Sequence, residues 1–255
     1  MNRTARRMSI HIYPDSIQIE AEENGKKSFK NTTLEAIQEV LTRGERTETP
    51  LLPSQWGTQK YIRVNNREMY VISTPPHVRS VYYDMRAETG DDEIKEFVVP
   101  LPGFLWIFIV DVNPSNDTRK YVHGMVYAVK NPIIGLNDKL FWFPFSNVDN
   151  RWMCWGDDRN YPELGTSKSI MTVPDRFLTN PFNHHLDHSK FEEFQDEHNG
   201  VTIRRFKTIH LFQYLDREYK AAQEKGETFE FPLKVLREQT RLGDAIEYFT
   251  REFLS

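Results

Sequence analysis

The chain opens with hydrophobic positions that alternate with polar ones. Ile10, Ile12, Ile17 and Ile19 follow this pattern on either side of Pro14-Asp15. Successive side chains of a strand point to opposite faces, and proline followed by aspartate favours a tight turn. The pattern therefore predicts an N-terminal β-hairpin.

A short helix is predicted over residues 33–42. Thr32-Thr33-Leu34-Glu35 supplies a capping residue and an early carboxylate, and the apolar residues that follow have helical spacing. Residues 43–56 are polar and contain prolines without a clear period, which favours an exposed connection.

Three further strands are predicted over residues 60–65, 68–74 and 78–84. They carry Tyr, Ile and Val between the turn signals Asn65-Asn66 and Pro75-Pro76. This arrangement is typical of an antiparallel meander. The polar residues 85–92 that follow are the best candidate for a boundary inside the chain.

The remaining chain divides into a strand-rich part and a helical part. The densest apolar stretches predict central strands over residues 97–99, 104–112, 121–129 and 140–145. After Cys154, apolar residues recur three and four positions apart, which is typical of helices. These predicted helices cover residues 174–178, 186–194, 209–222 and 242–253.

The order of the predicted elements, sheet first and helices last, indicates an α+β fold. A chain of 255 residues with 38% hydrophobic content can bury a sizeable core. We predict a β-rich region with one short helix over residues 1–92, a core over 93–190 and a helical region over 191–255.

The net charge and the length of the longest apolar run limit the kinds of partner that the chain is expected to bind. The formal net charge of -4 offers no footprint for nucleic acid or anionic lipid, although a local cationic patch would be hidden by that average. The longest apolar run, Phe104 to Val110, falls far short of the roughly 20 residues that a spanning helix needs. We therefore predict no nucleic acid partner and no membrane partner.

The single cysteine, Cys154, bears on compartment and on chemistry. It excludes an intramolecular disulfide, and Met1 to Ser9 is basic and polar, unlike a secretory signal, so a cytoplasmic location is expected. Cys154 follows a strand and a polar turn, where a loop can hold a reactive side chain in reach of a partner. The plain alternative is a buried small hydrophobe between Trp152 and Trp155.

Two aspartates close to the thiol support opposite interpretations. If Asp157 and Asp158 lie near Cys154, their charge raises the pKa of the thiol and leaves less thiolate. The same carboxylates are suited to orient an attacking lysine and accept its proton. A third interpretation makes both of them ordinary solvated turn residues.

A series of short motifs follows in order over residues 97–188. They are Pro102-Gly103, Tyr127-Ala128-Val129, the stretch from Leu140 to Val148, Met153-Cys154-Trp155-Gly156, Phe177-Leu178 and Pro181-Phe182-Asn183-His184. Their order resembles prokaryotic ubiquitin-conjugating-enzyme-like family D, which includes the B protein of the plasmid-associated PRTRC system. The N-terminal strands match only in general character, and the C-terminal helices do not match.

The resemblance implies a ubiquitin-conjugating-enzyme-like antiparallel meander sheet with an N-terminal β extension and C-terminal helices. It also implies that Cys154 carries a ubiquitin-like protein as a thioester, delivered by a ThiF-like adenylating enzyme, with a JAB-type peptidase as a further partner. Asn147 corresponds to the asparagine of the family's His-Pro-Asn motif, whose amide steadies the loop or the oxyanion. Phe145 and Ser146 occupy the histidine and proline positions, and a shift of one residue would give Asn150 the role of Asn147.

Other chemistries find less support in the sequence. His184 and His188 are one helical turn apart, but position 185 is His where the HExxH zinc motif needs Glu, so we predict no metal. Phosphate-binding glycine loops and the serine-hydrolase elbow are absent, and no cofactor is predicted.

Two functions remain open. The first is a thioester carrier acting through Cys154. The second is a catalytically inactive module of the same fold that docks a protein partner in a mobile-element or phage-defence complex. The unmatched histidine position, the nearby aspartates and the bulky tryptophans favour the second.

Overall fold

In the computed structural model, the chain divides into two compact units, Met1–Arg46 and Thr47–Ser255. The three-part division given above stays a prediction. The structure describes residues 7–13, 16–23, 26–33, 46–51, 56–116, 118–133, 135–149, 152–156, 160–165, 167–186, 194–196, 201–203 and 207–254.

The first unit contains a three-stranded antiparallel sheet of β1 (Arg7–Tyr13), β2 (Ser16–Glu23) and β3 (Lys26–Thr32). Ile10 lies opposite Ile19 in the β1–β2 pair, which confirms the predicted N-terminal hairpin. In this sheet, the Glu20 carboxylate lies 2.6 Å from the Lys27 Nζ and 2.9 Å from the His11 Nε2. Both contacts lower the pKa of Glu20, and the one with Lys27 has the larger effect. Most of the predicted helix over 33–42 lies outside the described residues.

The second unit is built on an eight-stranded sheet. Its strands are β4 (Arg46–Glu48), β5 (Gly57–Val64), β6 (Arg67–Thr74), β9 (Gly103–Asn113), β10 (Thr118–Val129), β11 (Lys139–Phe141), β12 (Glu163–Leu164) and β15 (Glu238–Arg241). They lie in the order β15-β11-β10-β9-β6-β5-β4, with β12 also paired to β10. The pairs β5–β6, β6–β9, β9–β10, β10–β11, β10–β12 and β11–β15 are all antiparallel. Strand β4 lies inside the segment predicted as an exposed connection, although its residues are exposed as expected.

The predicted meander is confirmed for its first two strands, since β5 pairs with β6, and is wrong for the third. Strand β6 pairs with β9 rather than with the next strand, β7 (His77–Asp84). Strand β7 instead pairs with β8 (Ile94–Leu101) in a separate two-stranded sheet. Pro75-Pro76 lack backbone N–H donors at the junction, so the ladder ends there. Strand β9, which is apolar from Gly103 to Val110, then takes the central place beside β6.

Four α-helices are described: α1 (Arg86–Thr89), α2 (Val173–Thr179), α3 (Thr208–Glu224) and α4 (Leu242–Phe253). The last three confirm predicted helices. Two short 3-10 helices span Ser167–Thr172 and Leu233–Val235. Phe194 begins strand β13 (Phe194–Asp196), paired to β14 (Val201–Ile203), where a helix end was predicted. No helix in the described part of the chain is both long and apolar enough to cross a membrane.

Helices cover both faces of β9. Trp106 lies 6.1 Å from Phe177 of α2, measured between ring centroids. On the other face, His123 lies opposite Ile109 in the β9–β10 ladder. The His123 ring lies 5.7 Å from the ring of Phe249 in α4, measured between centroids. Cross-strand partners share a face, so α2 and α4 pack on opposite sides. Every residue from Gly103 to Val110 is buried as a result.

A buried charged cluster crosses the sheet over β9. Glu68 on β6 accepts hydrogen bonds from Arg119 on β10 at 2.8 Å, from Tyr70 at 2.6 Å and from Tyr61 at 2.8 Å. The Glu68 side chain is 1% exposed. Burial opposes its ionisation, but the three donors together lower the pKa of Glu68. Burial, followed by the Glu68 hydrogen bond, raises the pKa of Tyr61 to about 12.

Replacing Glu68 with glutamine should lower the free energy of unfolding by about 3 kcal/mol at pH 7, because Arg119 is left buried beside a neutral group. The matched control is Asp111→Asn, whose partner Arg67 lies at 2.8 Å on a half-exposed surface. That control should cost less than about 1 kcal/mol. Urea unfolding measures both, and equal losses would contradict the cluster's assigned role.

The same substitution should change how stability depends on pH. The pKa of Glu68 is lowered from an ordinary 4.5, so its stabilisation is present above that value and is lost as the pH falls through the folded-state pKa. Glu68→Gln should therefore flatten the acid limb of the stability profile. Parallel acid limbs for wild type and variant would show that another carboxylate dominates.

Candidate functional site

The segment from Trp142 to Gly156 follows β11 and carries Cys154. Its described residues, 142–149 and 152–156, are here called the strip. Two phenylalanines anchor its first part in the core. Phe143 lies 6.0 Å from Phe177, and Phe145 lies 4.9 Å from Phe212 of α3, measured between ring centroids. Both strip phenylalanines are at most 1% exposed, so their burial fixes the start of the strip against both helices.

Backbone hydrogen bonds hold the rest of the strip in place. The Ser146 N–H donates to Thr208 Oγ1 at 2.7 Å, at the beginning of α3. The Met153 N–H donates to the Gly124 carbonyl of β10 at 2.8 Å. Gly124 leaves no room for a side chain, because an added Cβ would clash with the Tyr121 hydroxyl. The strip therefore lies directly against β10, where a side chain at position 124 would displace its neighbours.

The strip folds back on itself just before Cys154. Val148 and Met153 form an antiparallel bridge, and the Asp149 N–H donates to the Trp152 carbonyl at 3.0 Å. The Cys154 N–H donates to the Asn147 carbonyl at 2.7 Å. The structure thus brings together the two residues that the sequence separates by seven positions.

Asn147 is held rigidly beside the cysteine. Its backbone adopts a left-handed conformation with φ of 62°, which asparagine tolerates better than most residues. Its side-chain amide donates to the Pro181 carbonyl at 3.0 Å, and the residue is 7% exposed. This bond ties the strip to the segment that follows α2, so the amide braces the loop.

Cys154 forms no disulfide, and the residue as a whole is partly exposed. It is therefore not the fully buried hydrophobe of the plain alternative. Asp157 and Asp158, the two predicted acidic neighbours, lie outside the described residues, as does Asn150.

The two tryptophans beside Cys154 have different surroundings. Trp155 is 4% exposed and contacts Phe177 at 5.2 Å between ring centroids, so it anchors the end of the strip. Trp152 is 46% exposed. It borders a cavity of about 230 Å³ that Val122, His123 and Tyr161 also line. A large apolar side chain is thus presented to solvent two residues before the thiol.

Two buried polar groups lie where the strip packs against β10. The Tyr121 hydroxyl and Trp155 Nε1 each lack a hydrogen bond of satisfactory geometry within the described part of the chain. Their rings contact edge to face, with 5.6 Å between centroids. Burial raises the pKa of Tyr121, and the nearby Trp155 indole opposes that shift. The phenol therefore stays neutral at physiological pH.

Two residues that build the site carry no signal in the sequence. Thr208 lies far from Cys154 along the chain, and Gly124 appears only as one glycine in an apolar strand. Pro181 belongs to the features that carry the family resemblance, but nothing in the sequence indicates that its carbonyl accepts a hydrogen bond from Asn147. Each of the three contributes through a contact that forms only in the folded chain.

The histidine segment does not form a metal site in the described residues. The rings of His184 and His185 lie 5.7 Å apart, while His188 is outside the described ranges. Among the residues that the structure describes, no group of three or more His, Cys, Asp or Glu side chains could hold a metal ion.

Comparison with known proteins identifies no relative. No family model matches the chain, and no curated protein or solved structure is significantly similar to it.

The native protein should react with iodoacetamide at Cys154, because the residue is partly exposed. Peptide mass spectrometry should locate one modification at that residue, and Cys154→Ser, which keeps the size of the side chain, should remain unmodified. Labelling that occurs only after denaturation in guanidinium would contradict an accessible thiol.

Proposed function

We propose that this chain is a ubiquitin-conjugating-like carrier that acts through Cys154. The supporting observation is a partly exposed cysteine on a strip that is anchored to the sheet, with a backbone hydrogen bond from Cys154 to Asn147. A reactive side chain on a rigid support can be positioned for attack. The resemblance in the sequence supplies the chemical class.

The proposed reaction has two steps. In the first, the Cys154 thiolate attacks the thioester carbonyl of a ubiquitin-like protein on its adenylating enzyme. The new S–C bond replaces the old one, and the adenylating enzyme's thiolate leaves. In the second, an amine attacks the Cys154 thioester, an amide forms, the Cys154 thiolate leaves and the amine loses a proton. The exchange of one thioester for another is nearly isoenergetic, so positioning is the main requirement.

Asn147 has a positioning role in this proposal. Its amide is engaged by the Pro181 carbonyl, which favours the loop-steadying role over direct donation to an oxyanion. Asp157 and Asp158 remain the proposed groups that orient the amine and accept its proton.

The wider assignment rests on the same resemblance. The α+β architecture, with an antiparallel sheet followed by the strip and C-terminal helices, supports a ubiquitin-conjugating-like fold. The proposed partners are a ubiquitin-like protein, a ThiF-like adenylating enzyme and a JAB-type peptidase. The proposed setting is the cytoplasm, in a mobile-element or phage-defence system.

A docking module without catalysis is the second candidate. Trp152 favours it, because exposed tryptophans are enriched among residues that dominate protein interfaces. The side chain is 46% exposed beside a cavity. In this candidate function, the strip serves as a rigid platform and the thiol has no chemical role.

The carrier proposal predicts a covalent adduct. Mixing the protein with ATP, a ThiF-like adenylating enzyme and the ubiquitin-like protein that this enzyme charges should give a reductant-sensitive adduct by non-reducing electrophoresis and intact mass. Cys154→Ala should form none, because the accepting sulfur is removed. Absence of the adduct from wild type, while the adenylating enzyme itself becomes charged, would leave the docking module as the supported function.

Two substitutions at Asn147 should separate its possible roles. Glycine removes the bond to Pro181 but accepts a φ of 62°, whereas alanine also carries backbone strain and should cost about 1–2 kcal/mol more stability. If Asn147 positions the loop, loading of Cys154 and discharge to free lysine should slow together, more strongly for alanine.

A direct oxyanion donor would behave differently in the same single-turnover assay. Loading and stability would change little, while discharge would fall by about 100-fold or more in both variants. That result would overturn the bracing role given to Asn147.

A further inference from the structure

A cationic cavity lies at a different place on the second unit, where β10 ends and β11 begins. Its volume is about 660 Å³, within the range of roughly 300–1,000 Å³ for small-molecule sites. We call it the lysine pocket, after Lys130, Lys139 and Lys234. The lining also includes Asn131, Asn137, Phe141 and two carboxylates, Asp138 and Glu238. None of these residues belongs to the strip.

The wall of the lysine pocket is rigid. The turn that leads into β11 is held by the first residues of α4. The Leu242 N–H donates to the Asp138 carbonyl at 3.0 Å, and the Gly243 N–H donates to the Leu136 carbonyl at 2.8 Å. Asp138 in turn accepts a hydrogen bond from the Gly135 N–H at 3.0 Å. These hydrogen bonds therefore fix the backbone of the turn, and with it the beginning of β11, without a ligand.

Three lysines and two carboxylates, Asp138 and Glu238, line the pocket, so its side chains carry one excess positive charge. Lys139 contacts Glu238 at 2.7 Å, yet it also lies opposite Arg241 in the β11–β15 ladder. Like charges directly opposite each other destabilise a sheet. A multiply charged anion beside this pair would relieve that repulsion.

The other two lysines are available to an anion. The Lys130 Nζ lies 4.4 Å from the centroid of the Phe141 ring, and the Lys234 side chain belongs to an exposed residue. Within the described part of the chain, no acidic side chain forms a salt bridge with either lysine. Phe141 is only 8% exposed, so it holds Lys130 over an apolar base.

We propose that the lysine pocket binds a small molecule that carries a phosphate or polyphosphate group. Three ammonium groups supply charge, and the Asn131 and Asn137 amides offer neutral donors. The net charge of -4 over the whole chain disfavours an extended polyanion such as nucleic acid, whereas a compact anion senses mainly the local charges. This proposal does not depend on the chemistry of Cys154.

Calorimetric titration of the full chain at low salt tests the proposal with two probes, inorganic pyrophosphate and ADP. Binding should weaken as salt increases, because the contacts are ionic and partly exposed. The double substitution Lys130→Ala with Lys234→Ala should weaken binding by about tenfold or more. The matched control is Lys95→Ala, since the Lys95 Nζ also lies over an aromatic ring, at 5.4 Å from the Phe97 centroid, outside the pocket.

The two probes separate the forms of the ligand. Equal affinities support a site for the anionic group alone, and tighter binding of ADP supports recognition of the attached organic group as well. The proposal is overturned if neither probe binds at low salt, or if the double variant binds as tightly as wild type and Lys95→Ala. Thioester formation on Cys154 is measured separately, so failure of one proposal is distinguishable from failure of the other.

Discussion

Burial of β9 on both faces is the constraint on which the rest of the second unit depends. All eight residues from Gly103 to Val110 are buried, and a strand of this kind is stable only when each face is covered. Helix α2 and the strip cover one face, through Phe177 and Phe143, and α4 covers the other. The strip that carries Cys154 is therefore part of the core as well as a candidate site.

This dual role explains why the strip is rigid. Its aromatic residues, Phe143, Phe145 and Trp155, contribute to the hydrophobic free energy of the core, while its backbone bonds to Gly124 and Thr208 set its position. A loop anchored by both types of contact presents its remaining side chains, Cys154 and Trp152, in defined positions. Such a support is useful both for thioester chemistry and for docking a partner.

The same sheet holds charge in two contrasting environments. Glu68 and Arg119 are buried across β9 with every polar partner close by, so they act as part of the framework. The lysine pocket lies at the sheet margin, where water screens its charges and a ligand can enter. Burial thus separates ions that stabilise the fold from ions that are available for binding.

The sequence by itself determined the elements and the candidate chemistry. Alternation and helical spacing identified the N-terminal hairpin, most strands, and helices α2, α3 and α4, because local backbone geometry fixes the period of the apolar positions. Tertiary structure alone decided which strands pair: β6 lies beside β9, and β7 lies beside β8. Periodicity reports a buried face, but it does not report what covers that face.

The site shows the same division. The sequence determined that a lone cysteine follows a strand and that Asn147 precedes it by seven positions. Only the folded chain decided that the Asn147 carbonyl accepts the Cys154 N–H and that its amide is held by Pro181. The lysines at 130, 139 and 234 were likewise invisible as a group. These relationships join residues distant along the chain, and no local pattern encodes which distant residues meet when the core closes.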